Sequence, residues 1–484
     1  MDSLLEDIRN ALGRGDGIKA LLLDEYTRDS ISPIISHAEL LSYDFFLFET
    51  IKSTRQPIDV SCVAILSKTS LPLLAEEVQK QVYKEYYVFI TDELSDAEIE
   101  EIAKKDINGI IKELQELYFP GIPVDDNLIV LNGTNDQEIA QSLACLLKGL
   151  NVSPRIRYLF GSELSYKTAM YIDSGSKCKN TNSDILILDR VVDLFTPIMY
   201  PWTYQSMAAE YLEYKPGMIT WGHNNLCISK DDKFFKECKF KDIVYATERL
   251  KDSFEDVKVS RELAGEFITN VKNKAKESNR LTMHLKAITE ISNACVENDS
   301  VSEAMADLIE DVPINLLESI KEATEQQKLR LALIEYLCEV TAPSPNILKT
   351  FWKDKQQKWI LFDGYKKEIE LFTKTYIKNY QNLRRPSYER NQSRKLGYIP
   401  ELVRIITDLK NNRLSTTKYP ILRNIPGNRK TIIVFMSGGI SFIEYRALVL
   451  LFTKEFPKND ILLISNKIIT ANEILSSISI RPKH

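Results

Sequence analysis

The sequence predicts an α/β protein in which a large, mostly helical region is inserted into the second of two α/β domains. Short apolar runs of strand length alternate with segments of helical spacing over the first 130 residues, and again between 127 and 189. The strand pattern nearly disappears after about residue 202 and returns only near the C-terminus. Alternating strands and helices indicate parallel sheets, and a long helical interruption indicates an insertion.

The first α/β domain is predicted from runs that are rich in β-branched or aromatic residues: KALLLD (19–24), FFLFE (45–49), VSCVAIL (60–66) and YYVFIT (86–91). Helical spacing is found over 71–86 and 94–105. Strands that are apolar throughout belong to sheets covered on both faces. We therefore expect a parallel sheet with helices on each side.

The second α/β domain is predicted from a similar set of segments: NLIVL (127–131), DQEIAQSLACLLKGL (136–150), RIRYLF (155–160) and DILILD (184–189). From 242 to 380 most windows carry apolar residues at i, i+3, i+4 and i+7, which is typical of helices. Strands return in KTIIVFMSGG (430–439) and DILLIS (460–465). The domains expected from this order are 1–125, 126–208, an inserted helical domain at 209–426, and 427–484, which completes the second domain.

Composition narrows the class of protein. The 484 residues carry a formal net charge of -5, whereas a general nucleic-acid binder usually has a basic excess. The seven cysteines are scattered without a CxxC pair, so free thiols in a reducing cytosol are expected and a zinc site is not. The N-terminus has no apolar signal-peptide core, and no window of 18 consecutive apolar residues occurs.

The segment DILILDRVVDLFTP raises the possibility of catalysis, because Asp189 follows a strand in the manner of a sheet-edge ligand. A DxD phosphotransfer site needs a second acid two residues on, where Val191 stands. No GxGxxG or P-loop occurs in the chain. The favoured interpretation is that Asp189 and Asp193 cap turns or pair with a neighbour such as Arg190. A ligand or catalytic role for the two carboxylates stays open.

Other polar residues give weak catalytic signals. None of the four histidines pairs with another at metal-ligand spacing, and no GxSxG elbow is present. His284 lies on a helical pattern and is expected to be a half-buried packing residue. The basic stretch 382–397 is expected to be a solvated loop, with contact to phosphates or anionic lipid as the alternative.

The helix predicted at 94–105 offers a surface for binding another protein. It carries Ile99 and Ile102 at i, i+3 beside several acidic residues, an arrangement that suits a short basic peptide with one apolar anchor. An ordinary sheet-covering helix with a solvated face explains the same residues, and sequence alone favours that interpretation.

Several segments resemble the Sec-one/Munc-eighteen (SM) family of syntaxin-binding proteins. The segment ILILDRVVDLFTPIMYPWTYQSMAAEYL resembles the family signature. Its residues are most similar to those of the endosomal branch of the family. KALLLDEYTRDSISPIISHAELLSYDFFLFETI and IIVFMSGGISFIEYRAL resemble the first strand–helix–strand unit and the closing strand–turn–helix unit. The signature positions in this chain are Asp189, Arg190, Asp193, Pro197 and Gln205.

The resemblance implies a fold and two binding surfaces. SM proteins form an arch of three domains around a central cavity and have no known catalytic activity or cofactor, so the Asp189 turn would be structural. Asp24 and Arg28 match positions of the cleft that holds the syntaxin. Ile99, Ile102 and Glu116 match an outer pocket for the syntaxin N-terminal peptide.

Two details of that pocket differ from the simplest expectation. Periodicity alone places Glu116 on a helix, GIIKELQEL, whereas the resemblance implies a strand, and we follow the resemblance. Ile99 stands where some relatives have an aromatic residue, so a shallower or unused pocket is expected. The family's SNARE-templating hairpin is expected near 255–295.

The function implied by the resemblance is that of a chaperone of SNARE assembly in endosomal or Golgi transport. It would be a cytoplasmic monomer that binds a syntaxin-type SNARE and the assembling SNARE complex, and that meets the membrane only through the SNARE. No nucleic acid, metal or cofactor is expected. Two alternatives remain: an α/β enzyme that acts on a phosphate or sugar substrate through Asp189 and Asp193, and a subunit of a larger tethering complex.

Overall fold

The computed structural model describes most of the two α/β parts and a portion of the helical region. The described residues are 2–175, 182–228, 232–263, 268–295, 298–310, 312, 322–341, 369, 384–389, 393, 396–425, 430–457 and 460–479. Seven of the sixteen residues of the basic stretch 382–397 lie outside them, as do residues 264–267 of the expected hairpin. Among the described helices, none is long and apolar enough to cross a membrane.

The first α/β unit is a five-stranded parallel sheet in the order β2-β1-β3-β4-β5. Its strands are β1 (Lys19–Leu23), β2 (Phe45–Thr50), β3 (Ile58–Leu66), β4 (Tyr83–Ile90) and β5 (Ile111–Glu116). Its helices are α1 (Asp2–Leu12), α2 (Glu25–Ile31), α3 (His37–Ser42), α4 (Leu71–Lys80) and α5 (Asp96–Lys105). Glu116 therefore ends a strand, as the resemblance predicted. The helix predicted over 71–86 ends at Lys80, because β4 begins at Tyr83.

Alternate residues of the central strands face two separate cores. Leu21 and Val63 belong to the core that α1, α2 and α3 cover, whereas Leu22 and Cys62 belong to the core beneath α4 and α5. All four side chains are buried. A strand that is buried on both faces has no polar alternation, which explains the uninterrupted apolar runs in the sequence.

The second α/β unit is a seven-stranded sheet in the order β15-β8-β9-β16-β17-β7-β6. Its strands are β6 (Gly121–Asp125), β7 (Leu128–Leu131), β8 (Arg155–Tyr158), β9 (Ser183–Asp189), β15 (Ile421–Arg423), β16 (Thr431–Ser437) and β17 (Asp460–Ser465). Its helices are α6 (Asp136–Gly149), α7 (Glu163–Gly175), α15 (Phe442–Glu455) and α16 (Ala471–Ser479). The C-terminal strands β16 and β17 lie in the middle of this sheet, so the chain returns to complete the domain as predicted.

The predicted domain boundaries shift at two places. β6 pairs with β7 and β15 pairs with β8, both antiparallel. Residues 121–125 and 421–423 therefore belong to the second sheet, although the sequence assigned them to the first domain and to the helical domain. Both are edge strands of five residues or fewer, and strands this short give little periodic signal.

The inserted region is mainly helical, as expected, where it is described. Its helices are α8 (Tyr204–Tyr211), α9 (Lys233–Cys238), α10 (Ile243–Leu263), α11 (Ile268–Cys295), α12 (Asn298–Ile309), α13 (Glu325–Val340) and α14 (Glu401–Lys410). The sequence missed a small antiparallel sheet of β10 (Glu213–Lys215), β11 (Met218–Trp221) and β12 (Asn224–Cys227). A two-stranded pair is formed by β13 (Ser387–Tyr388) and β14 (Tyr398–Ile399).

Candidate partner-binding surfaces

Asp24 fixes the turn between β1 and α2 and does not present its carboxylate to a partner. Oδ1 accepts a hydrogen bond of 2.8 Å from the Thr27 backbone N–H, and Oδ2 accepts bonds from Ser67 and Ser70. The residue is 5% exposed. Burial alone raises the pKa of Asp24, but the hydrogen bonds from Ser67, Thr27 and Ser70 outweigh it and hold that pKa below its ordinary value. Because the carboxylate of Asp24 is buried and hydrogen-bonded inside the fold, the assignment of Asp24 to the cleft stays a prediction for the position of this residue and not for its charge.

Arg28 lies one turn further along α2 and is exposed. Its guanidinium pairs with Asp29 at 3.0 Å, and both side chains are about half exposed. An exposed pair of this kind contributes little to stability, so either charge is available to a partner. Of the two predicted cleft residues, only Arg28 offers a charged group at the surface.

The two predicted apolar residues of the peptide pocket have different environments. Ile99 is 41% exposed on α5, whereas Ile102 is 3% exposed and belongs to the core between α5 and the sheet. The i, i+3 spacing turns Ile102 further toward the sheet than Ile99. Ile102 therefore lies in the core beneath α5, and of the two isoleucines only Ile99 offers an apolar side chain at the surface.

Glu116 joins the end of β5 to the loop that precedes α5. Its Oε1 accepts a 2.6 Å hydrogen bond from the backbone N–H of Leu94, and Oε2 accepts one from the Tyr118 hydroxyl. Ser95, the next residue after Leu94, caps α5 in a reciprocal arrangement with Glu98. Because α5 begins at this point, the half-buried carboxylate of Glu116 lies near the first turn that carries Ile99.

Further charged groups surround the loop before α5. Lys148 of α6 pairs with Glu93 at 3.2 Å and lies over the Tyr118 ring, and Lys68 pairs with Glu98. Burial raises the pKa of Asp92 above its ordinary value. A groove of about 1050 Å³ separates this loop from α6 and α7. This groove begins at the loop before α5 and is lined by charged residues such as Asp92, Glu93 and Lys148, whereas Ile99 and Glu116 do not line it.

Asp189 and Arg190 make hydrogen bonds that hold the turn after β9 in place. Oδ1 of Asp189 accepts from the Val191 backbone N–H at 3.3 Å, and Oδ2 accepts from the Ser162 hydroxyl at 2.8 Å. Arg190 is fully buried and makes two hydrogen bonds to Glu444, at 2.9 and 2.7 Å. The predicted turn-capping role of Asp189 is confirmed, and the partner of Arg190 is Glu444.

Asp193 and Pro197 shape the turn that follows. Oδ1 of Asp193 accepts from the backbone N–H groups of Phe195 and Thr196, both at 3.0 Å. Oδ2 accepts from the Thr196 hydroxyl and from the Glu401 backbone N–H, at the start of α14. Pro197 is buried in the short 3₁₀ turn Thr196–Ile198. The carboxylate of Asp193 thereby ties the signature to the helical region.

Gln205 lies where the second sheet meets the helical region. Its Nε2 is 3.5 Å from Oδ2 of Asp125 and 3.5 Å from the Tyr214 hydroxyl. Asp125 also accepts two hydrogen bonds from Lys239, at 2.6 and 2.7 Å. These contacts connect β6 to α8 and α9, so the signature glutamine helps to hold two parts of the molecule together.

His284 belongs to a buried polar group that the sequence did not reveal. Its Nε2 lies 2.9 Å from Oδ2 of Asp232 and its Nδ1 lies 2.8 Å from the Tyr204 hydroxyl. The histidine is 0% exposed, so the expectation of a half-buried packing residue is wrong. Asp232 and Tyr204 are 52 and 80 positions from His284 in the chain, and no local spacing indicates such a contact.

The alternative of catalysis at Asp189 and Asp193 gains no support from this geometry. Each carboxylate oxygen of the two residues accepts a hydrogen bond from a neighbouring turn or helix. Within the described part of the chain, no cluster of three or more His, Cys, Asp or Glu residues is arranged to hold a metal ion.

Comparison with known sequences identifies related proteins. A model of the Sec1 family matches residues 19–477. Vacuolar protein sorting-associated protein 45 of Mus musculus is 24% identical over 506 residues, which cover 89% of this chain and 87% of that protein. The protein of the same name from Dictyostelium discoideum is 25% identical, and the match covers 91% of this chain and 90% of that protein.

Comparison with solved structures identifies the same fold. The SM protein Vps45, solved in complex with the Qa SNARE Tlg2 (1-310), matches with a TM-score of 0.81 at 21% identity, over 99% of this chain and 97% of that chain. Sly1p, solved in complex with an N-terminal peptide of Sed5p, matches with a TM-score of 0.76 at 17% identity, over 99% and 98%. The predicted SM fold is confirmed.

Proposed function

The chain belongs to the Sec1 family, and from this premise we propose that it binds a syntaxin-type SNARE and assists the assembly of SNARE complexes. The family match over residues 19–477 is the observation that carries the proposal. Similarity to vacuolar protein sorting-associated protein 45 supports transport between endosomes and the Golgi as the process. We further propose a cytoplasmic monomer that associates with these membranes through the bound SNARE.

The mechanism is differential binding. A chaperone of this kind accelerates assembly only if it binds the aligned, fusion-competent arrangement of SNARE helices more tightly than the other arrangements. The buried contacts of Asp193 and Gln205 support this role, because they join the second α/β unit to the helical region. A rigid scaffold loses little conformational entropy when a partner binds. No covalent step is required.

Two surfaces of the first α/β unit are proposed to contact the SNARE. Arg28, exposed beyond the carboxyl end of β1, contacts the folded SNARE in the cleft. Ile99 and the neighbouring carboxylate of Glu116 receive the N-terminal peptide. Burying the apolar anchor of that peptide against Ile99 would contribute about 1.5–3 kcal/mol.

A binding experiment tests the pocket. The full chain and its Ile99→Arg variant are titrated with the cytoplasmic part of a syntaxin-type SNARE, with and without the SNARE's N-terminal peptide. Ile107→Arg is the matched control, because Ile107 lies beyond the end of α5 and is 81% exposed. We expect Ile99→Arg to weaken binding at least tenfold only when the peptide is present. Equal affinity of the wild type and this variant would remove the pocket from the proposal.

Absence of binding by the wild type, with or without the N-terminal peptide, would count against the broader proposal for that SNARE. In that case a panel of syntaxin-type SNAREs from the endosomal, Golgi and plasma-membrane groups, tested against the wild type alone, separates a wrong partner from a wrong function. Binding to at least one member is expected, and its identity fixes the transport step.

A further inference from the structure

Part of the basic stretch 382–397 forms strand β13 at the surface of the inserted region. β13 pairs antiparallel with β14. Because the side chains of a strand alternate, Tyr388 packs against the core of the helical region, whereas Ser387 faces the other way and is exposed. The Ser387 side chain is therefore presented to solvent, directly after the residues RRP at 384–386.

The residues before Ser387 have the charge pattern that a class of protein kinases selects. Two arginines lie two and three positions before the serine, and a kinase with an acidic substrate groove recognises such a pair by charge. A substrate segment lies extended in that groove, and β13 is already extended. β13 and β14 contribute only two residues each to their ladder, and a two-stranded pair of this size opens at low cost. Ser387 thus meets the two requirements of a substrate, charge and access.

A group of cations lies beside this serine. Arg404 of α14 pairs with Glu401 at 3.1 Å. Burial raises the pKa of the Glu401 carboxyl, and the charges of its cationic neighbours, Arg404 first, oppose that rise. Burial lowers the pKa of the Lys418 ammonium, and the charges of Arg384 and Arg404 lower it further. Three cations therefore share one carboxylate, so a phosphate on Ser387, with about −1.5 to −2 charges at pH 7, enters a favourable field.

Arg385 ties this segment to the C-terminal end of α13. Its Nη2 donates to the Cys338 carbonyl at 2.6 Å, and its Nε donates to the Thr341 hydroxyl at 3.3 Å. The last carbonyls of a helix have no partner within the helix, and a cation beside them also suits the helix dipole. Arg385 therefore completes the last turn of α13, a helix whose apolar face belongs to the core of the helical region.

A phosphate on Ser387 would compete for this arginine. Pro386 restricts Arg385 to extended backbone. Alternate residues of an extended chain lie on one side about 6.5–7 Å apart, so Arg385, Ser387 and Glu389 share a side. The exposed carboxylate of Glu389 repels a phosphate, whereas Arg385 attracts it. A guanidinium binds a phosphate through two parallel, charge-assisted hydrogen bonds, which are stronger than its bonds to a neutral carbonyl and hydroxyl.

We propose that Ser387 is a phosphorylation site for an arginine-directed protein kinase, and that its phosphate draws Arg385 away from the end of α13. The kinase transfers the γ-phosphoryl group of ATP. The bond between the serine Oγ and phosphorus forms, the bond from phosphorus to the β-phosphate oxygen breaks, the hydroxyl proton passes to the catalytic aspartate of the kinase, and ADP leaves. The modification loosens the last turn of α13 and leaves the proposed SNARE contacts at Arg28 and Ile99 unaltered, because these lie in the first α/β unit.

Phosphorylation of the full chain tests the site. The folded protein is incubated with ATP and the catalytic subunit of cAMP-dependent protein kinase, and the modified residue is located by mass spectrometry. We expect a single phosphate on Ser387, its loss in Ser387→Ala, and a reaction at least tenfold slower in Arg384→Ala. Arg413→Ala is the matched control, because Arg413 is an exposed arginine outside the RRPS segment, 3.8 Å from Asp408. It should react at the rate of the wild type.

Two outcomes would overturn the phosphorylation site. One is a phosphate on another serine, such as the exposed Ser393, with Ser387 unmodified. The other comes from comparison with a synthetic peptide of residues 380–392. Phosphorylation of the peptide together with no reaction of the folded chain would show that the fold hides Ser387 from the kinase.

Hydrogen exchange tests the transfer of Arg385. We expect the backbone amides in the last turn of α13 to exchange at least tenfold faster in the phosphorylated wild type than in the unmodified protein. Arg385→Gln removes the same arginine, so its unmodified form should already exchange fast. Phosphorylation of this variant, brought to the same stoichiometry by a longer incubation, should add nothing. Unchanged exchange in the phosphorylated wild type, or a further tenfold rise in phosphorylated Arg385→Gln, would overturn the proposed role of Arg385.

Discussion

Arg190 and Glu444 form a doubly hydrogen-bonded ion pair across 254 positions of sequence, with contacts of 2.9 and 2.7 Å. Their side chains are 3% and 0% exposed. Arg190 follows the last residue of β9, and Glu444 caps the first turn of α15 through Ser441. The pair therefore fastens the strand that leads out of the second sheet to the helix that leads back into it. This ion pair gives the arginine of the Asp-Arg signature a structural role.

Removing one member of the pair is expected to destabilise the protein strongly. Arg190→Met leaves the Glu444 carboxylate buried without its counter-charge, and loss of one partner of a buried pair costs about 3–5 kcal/mol. Arg190→Met/Glu444→Leu removes both charges and should cost less than the sum of the two single changes. Urea unfolding of all four proteins gives the coupling between the two residues. Additive losses would show that the two charges do not depend on each other.

Gly438, at the turn after β16, is expected to tolerate no side chain. Its φ is +88°, and a Cβ there would lie 2.7 Å from the Cβ of Arg190. Gly17→Ala is a matched control, because Gly17 has a φ of +69° and open space around the added carbon. Both variants incur the backbone strain of about 1 kcal/mol or more, but only Gly438→Ala adds the clash. Thermal unfolding should therefore show a clearly larger loss for Gly438→Ala, and equal losses would mean that the Arg190 contact relaxes freely.

The order of strands and helices could be predicted because strands buried on both faces leave long apolar runs, as in β3 and β16. The strand that ends at Glu116 could not be derived from local pattern, since KELQEL has helical propensity and its pairing with β4 decides its conformation. Family resemblance supplied that strand correctly. It also suggested positions of the pocket and the cleft. The burial of Ile102 and the internal hydrogen bonds of Asp24 depend on packing between elements, which a one-dimensional pattern does not contain. The contact of His284 with Asp232 and Tyr204 is hidden for the same reason.

Comparison of Ile99 with Ile102 tests the corrected description of the pocket. Ile102→Asp places a carboxylate in the core beneath α5, so it should lower the free energy of unfolding by about 3 kcal/mol or more. Ile99→Asp should change that free energy by less than about 1 kcal/mol, because the side chain is already 41% exposed. Chemical unfolding measured by circular dichroism distinguishes the two. Similar, small effects would place Ile102 at the surface and restore it as a direct pocket residue.

Acid is expected to weaken the joint at Asp24. Its pKa is lower in the folded chain than the ordinary 3.8, because the hydrogen bonds from Ser67, Thr27 and Ser70 outweigh the opposing effect of burial. A carboxylate with a depressed pKa contributes its full stabilisation above the pKa of the unfolded state, and that contribution falls as the pH drops through the folded value. Asp24→Asn should therefore be less stable than the wild type at pH 7, and the difference should shrink below about pH 4.

Urea unfolding of the wild type and Asp24→Asn at a series of pH values between 7 and 3 measures this dependence. Asp29→Asn is the control, because Asp29 is the next aspartate on α2 and lies at the surface beside Arg28. It should shift stability little at any pH, since exposed ion pairs contribute at most about 1 kcal/mol. A difference between wild type and Asp24→Asn that stays constant down to pH 3 would mean that the ionised form of Asp24 has no special role. The five hydrogen bonds that its carboxylate accepts would then contribute no stability that depends on its charge.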